Sequence, residues 1–222
     1  MKRWLHDNGI AVFFGVIFLA SLIGQAVAGN KVFNEDALEH GEQTVGFFRY
    51  LVTSHYGQAV LENWQSEYLQ FSLFILATIW LIQKGSPESD AEGGLSSEKD
   101  EHIGRFALKS SPEWAKVGGW RTALYSWSLL ILMVAIFFAT WLGQSFTGWS
   151  EYNDEQKQHD EPTVAWTKYV RSPPFWEDTL QNWQSEFLAV GSFSIFAVFL
   201  RARGSAESKK VGSPHEATGG NV

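Results

Sequence analysis

Cysteine is absent from the chain. That alone excludes disulfides, thiolate metal sites and cysteine nucleophiles. Basic residues are scarce too: 17 Lys and Arg stand against 24 Asp and Glu, and the net charge of -7 leaves no basic patch suited to nucleic acid. Nucleophile motifs, glycine-rich phosphate loops and charge ladders inside apolar segments are missing. Their absence argues against an enzyme, a nucleotide-driven pump and a voltage sensor. What the chain has is uncharged length. No residue in 8–30 or in 122–150 carries a formal charge. About 20 apolar residues span the hydrocarbon of a bilayer, so both runs read as transmembrane helices. Many of the 11 Trp and 17 Phe fall near the ends of these runs, where aromatic belts form. Lys2-Arg3, the apolar run and Ala26-Val27-Ala28-Gly29 together imitate a signal peptide with its cleavage site.

A second pattern argues against that reading. Displaced by 119 residues, the chain matches itself without a gap, with 25 identities over the 73 positions of 17–89. Gly24-Gln25 falls on Gly143-Gln144, Gly29 on Gly148, Asn34 on Asn153, His40 on His159 and Tyr50 on Tyr169. The word Asn-Trp-Gln-Ser-Glu at 63–67 returns at 182–186, and "GSPES" at 85–89 returns as "GSAES" at 204–208. One offset kept across helices and loops reads as a tandem duplication. The first apolar run thus has a partner in mid-chain, where no signal peptidase acts, and the first helix is expected to be retained.

The second apolar run of each copy is short. Only 16 uncharged residues lie between Glu67 and Lys84, and 14 between Glu186 and Arg201. That is roughly 24 and 21 Å of helix against about 30 Å of hydrocarbon. Either these helices do not cross, or they begin earlier and carry the repeated word into the membrane, which gives spans near 63–83 and 182–203. The expected architecture is all-α, a four-helix transmembrane bundle of two tandem, parallel-oriented two-helix repeats with partly helical outer loops. The first repeat covers 1–89, with helices near 9–29 and 63–83. A linker follows at 90–119, then the second repeat at 120–208, with helices near 122–145 and 182–203. A disordered tail takes up 209–222. The side holding both tails and the middle loop carries 12 Lys and Arg, the other side five, so both termini are expected in the cytoplasm.

Asn63, Ser66, Glu67 and Gln70 lie at i, i+3, i+4 and i+7, and share one helical face. Asn182, Ser185 and Glu186 repeat it. One reading makes the asparagine a helix cap and the glutamate a complement to the helix dipole. The other turns a polar face into the bundle, where an ionisable residue marks a site. Gln65 and Gln184 favour the second, with Gln25 and Gln144 at the same depth. Ala20, Gly24 and Ala28 form a small-residue stripe suited to close helix approach. In the outer loops, His40 and His159 each precede an acid, Glu42 and Glu161. A histidine–carboxylate metal site is the alternative to plain loop hydrogen bonding, yet no HxxxH or ExxH spacing supports one. No cofactor is expected.

"NWQSEFL" at 182–188, "RARGSAES" at 201–208, and "GWSEYN" at 148–153 followed by His159 resemble the repeated signature of a family of uncharacterised bacterial integral-membrane proteins. The first copy departs from it, with Asn30-Lys31 where Trp149-Ser150 stands. The resemblance covers nearly the whole chain and implies a bacterial inner membrane. It implies no activity. The expected function is a non-enzymatic membrane accessory or stress-related protein, whose partners are the bilayer and a second copy or another membrane protein. The alternatives are a small transporter or channel using Glu67 and Glu186, and a metal-dependent enzyme using the outer-loop histidines.

Overall fold

The computed structural model describes residues 2–90 and 93–219. Residues 91–92 of the expected linker and 220–222 of the expected tail lie outside the described residues. Every regular element among the described residues is helical: α1 Lys2–Asp7, α2 Gly9–Glu39, α3 Phe47–Tyr50, α4 Ser54–Trp80, α5 Glu113–Lys116, α6 Gly119–Ser126, α7 Ser128–Gln158, α8 Trp166–Tyr169 and α9 Pro173–Phe199, with one 3-10 turn at Gly104–Phe106.

Two of these helices, Gly9–Glu39 and Ser128–Gln158, are long and apolar enough to cross a membrane. On α2, Ile10, Phe13, Phe14, Val16, Ile23 and their neighbours stand exposed all along the apolar stretch. A helix apolar on every side is stable only where something apolar covers it. Ala20, Gly24 and Ala28 are exposed as well, and a Cβ on Gly24 would meet no atom within 4 Å.

The helices run past the expected spans. α2 and α7 continue through polar sequence to Glu39 and Gln158. α4 and α9 begin at Ser54 and Pro173, nine residues ahead of the repeated word. The capping role expected of Asn63 and Asn182 is therefore corrected. The hydroxyl that caps α4 belongs to Thr53, whose Oγ1 accepts from the Tyr56 amide at 3.3 Å. α9 opens on Pro173, whose fixed φ suits the first helical position and whose missing N–H costs nothing there.

Packing divides the chain into two units. The first takes the chain up to Leu61 together with Gly143–Ser172. Here each long helix ends in the same way: Glu42 N–H bonds back to Ala37, and Glu161 N–H to Gln156, both at 2.7 Å. The residue after the cap is left-handed each time, Gly41 at φ +73 and Asp160 at φ +56. The chain then returns along its own helix. Asn34 pairs with the backbone of Val45, donating to its carbonyl at 2.9 Å and accepting from its amide at 2.7 Å. Asn153 does the same to Val164 at 3.0 and 2.8 Å. Where the copies differ, the bond survives. Asn30 Nδ2 donates to the Val45 carbonyl at 3.3 Å, and Trp149 Nε1 to the Val164 carbonyl at 2.7 Å.

The returning segments deliver Tyr50 and Tyr169, both buried, onto Gly29 and Gly148. A Cβ on either glycine would run into the tyrosine hydroxyl.

The second unit takes Glu62–Leu142 and the chain from Pro173 onward. Its aromatic core stacks Trp141 on Phe137 at 5.5 Å and sets it against Trp183 at 5.9 Å and Phe175 at 6.3 Å. The segment after α9, expected as a disordered tail, is described to residue 219. There the Lys209 ammonium donates to the carbonyls of Pro214, His215 and Ala217 at 3.2, 2.9 and 3.0 Å.

Glycine to alanine inside a helix ordinarily gains about 0.5–1 kcal/mol. Gly29→Ala and Gly148→Ala should instead lose about 1–3 kcal/mol to overpacking, while Gly24→Ala, with no atom within 4 Å, should be neutral or stabilising. Thermal unfolding in detergent checks the sign, and Tyr50→Phe should partly rescue Gly29→Ala.

Candidate functional site

Because α2 and α7 overrun their apolar stretches, the first unit carries two polar helix ends, each exposing carbonyls and acids. Between them and the start of α4 lies a cavity of about 740 Å³. It receives His40 and His159, the two histidines singled out by the repeat, and also His55. The loop histidines prove to be helix terminators: His40 is the C-cap of α2, with Nδ1 at 3.0 Å from the Asp36 carbonyl. Five carboxylates line the same space, Asp36, Glu42, Glu151, Asp154 and Glu155, against the single ammonium of Lys157. Lys157 is held by Asp154 at 2.7 Å. Helix C-termini carry partial negative charge of their own, so the cavity favours cations.

The best-defined contact in it was not expected from sequence. His55 Nδ1 lies 2.9 Å from Glu151 Oε1, and Ser54 Oγ donates to Glu151 Oε2 at 3.1 Å. Phe33 packs edge-on against the imidazole at 5.4 Å. Neither partner belongs to the repeat, since His55 stands opposite Pro174 and Glu151 opposite Val32. The signal was the mismatch itself: two polar side chains placed where the other copy has none. Among the described residues, no three His, Asp or Glu side chains gather at metal-ligating geometry.

The repeated word occupies the second unit and behaves differently in its two copies. Gln65 and Ser66 are fully buried, whereas Gln184 and Ser185 are exposed. Trp183 Nε1 donates to Gln65 Oε1 at 2.9 Å, and Asn182 Nδ2 donates to Glu62 Oε1 at 2.5 Å. The glutamine amide nitrogen, Trp141 Nε1 and Thr179 Oγ1 are each buried without a hydrogen-bond partner among the described residues. Asn63 and Glu67 are exposed and Glu186 half-buried, and the two glutamates lie close enough to repel one another. In the first unit Gln144 is buried with its Oε1 unpaired, whereas its counterpart Gln25 is exposed.

The hydrogen bond to Glu151 raises the pKa of His55 above its ordinary 6.5, aided by the charges of Glu151, Asp36 and Glu155 and opposed by burial. A pKa raised in the folded state contributes stability that is complete below 6.5 and is lost as pH climbs through the raised value. His55 should therefore titrate above 6.5 by NMR, and Glu151→Gln should bring it down. The melting difference between wild type and Glu151→Gln should be larger at pH 6 than at pH 8; an equal difference at both would count against the pair.

No curated protein and no solved structure matches the chain. One family model does, the domain of unknown function DUF6766, over residues 1–220. The chain belongs to the DUF6766 family.

Proposed function

We propose that this is a non-enzymatic protein of the bacterial inner membrane, a four-span accessory protein whose working surface is the acidic, histidine-bearing cavity. In this reading the chain is a tandem duplication. α2, α4, α7 and α9 all cross, both termini are cytoplasmic, and the cavity faces outward, where it senses protons and small cations as a stress-responsive component. The observation that carries the proposal is the gathering of three histidines and five carboxylates at the ends of the two longest apolar helices. The recurrence of the same hydrogen bonds 119 residues apart supports the duplication. The exposed apolar faces fit a bilayer, with room for a second copy or another membrane protein.

Transport is the second reading, supported by the mutual repulsion of Glu67 and Glu186 on α4 and α9. A metal-dependent enzyme has less support, given the lack of a ligating triad among the described residues.

The cysteine-free chain makes the test direct. Single cysteines at Gln158 or Glu42 should react with an impermeant maleimide in intact spheroplasts, and cysteines at Lys109 or Ser208 only after permeabilisation. Labelling of Lys109→Cys from outside overturns the four-span scheme. Replacing His40, His55 and His159 with alanine together should lower survival under acid stress, with Glu67→Gln and Glu186→Gln without effect; the reverse pattern would select transport.

A further inference from the structure

The "GSxES" motif recurs in both copies but plays no part in the functional reading above. Its two occurrences fold alike. Gly85 and Gly204 take φ +88 and +86, a region that favours glycine. Ser86 Oγ accepts from Glu88 N–H, and Ser205 Oγ from Glu207 N–H, both at 3.2 Å. Ser89 Oγ accepts from Gln83 N–H at 3.0 Å and Ser208 Oγ from Ala202 N–H at 2.9 Å. Glycine and both serines are thus consumed in making the turn. The glutamate is the repeated letter left over, and Glu88 and Glu207 line one cavity together.

The pair stands on a cavity of about 300 Å³ within the second unit. Its walls are equivalent positions of α4 and α9: Gln70 and Ala189, Phe71 and Val190, Phe74 and Phe193. An aromatic pocket with two acids suits a cation carrying apolar surface, attracted both by charge and by ring faces. Of the cations on these turns, Lys84 faces Glu216 at 3.8 Å, Lys209 holds three carbonyls, and Arg201 donates to the carbonyls of Val198, Leu200 and Ser213, while Arg203 and Lys210 flank Glu207 in sequence and stand exposed. On the helices the nearest acids are Glu67 and Glu186, about one turn from Gln70 and Ala189. The charge that acts on Glu88 is that of Glu207.

The geometry points to Glu88 and Glu207 as a binding site for a hydrophobic monocation, which enters the Phe-lined cavity in exchange for a proton. The exchange balances: a singly protonated pair of charge -1 takes up a cation of charge +1, loses one proton to solvent, and the complex again carries -1. Burial first, then the hydrogen bond and charge of Glu207, push Glu88 up to about 7, so the displaced proton is present under physiological conditions. The site does not rest on the cavity reading of the first unit.

Tetraphenylphosphonium titrated calorimetrically into the purified full-length chain, in buffers of different ionisation enthalpy, tests it. Release of about one proton per cation at pH 6 and almost none at pH 8 is expected, with affinity about tenfold higher at pH 8. Glu88→Gln should abolish the proton release between pH 6 and 8, Glu207→Gln should reduce it and move it to lower pH, and Phe74→Ala should weaken binding equally at both. Variants must keep the wild-type helical circular dichroism. Absence of binding, binding without proton release in the wild type, or a pH response that persists in Glu88→Gln/Glu207→Gln each overturns the proposal.

Discussion

An asparagine side chain reading the backbone of a valine eleven residues later holds the first unit together, once per copy. Each long helix ends in a left-handed residue, and the chain must then run back with a backbone that has left regular structure. The amide of Asn34 or Asn153 satisfies both the N–H and the C=O of that valine. Losing either partner would leave part-buried groups unpaired, at up to about 1–3 kcal/mol each. Once the valine is pinned, the short helix that follows can lay its tyrosine on a glycine, and Thr53 can cap α4 beside the helix ends. The histidine cavity is what this turn encloses.

Much of this was legible in the sequence. The uncharged runs identified α2 and α7, and the fixed offset identified which asparagine, histidine and tyrosine belong together. Helix ends were not legible, because hydropathy stops at the edge of an apolar run whereas helix stops at a capping interaction. Glu35, Asp36 and Glu39 are as compatible with helix as the leucines before them, and α2 runs on through them. For the same reason the sequence leaves capping open as one of two roles for Asn63, whereas α4 begins nine residues before it.

The site was half legible. His40 and His159 stood out as a repeated pair, and they share the cavity. His55 and Glu151 were passed over because the repeat does not contain them, yet they meet at 2.9 Å within the cavity. The matching hydrogen bonds recur at the fixed offset, whereas the site also uses residues without a counterpart there. Gln65 and Gln184 make the same point from the other side: identical letters, one fully buried against Trp183 and one exposed.

Hydrogen exchange at the Val45 and Val164 amides tests the asparagine turn most directly. Both should exchange slowly in the full-length protein, and Asn34→Ala should release Val45 while leaving Val164 protected. Fast exchange at both amides in the wild type, or unchanged protection of Val45 in Asn34→Ala, would contradict the account.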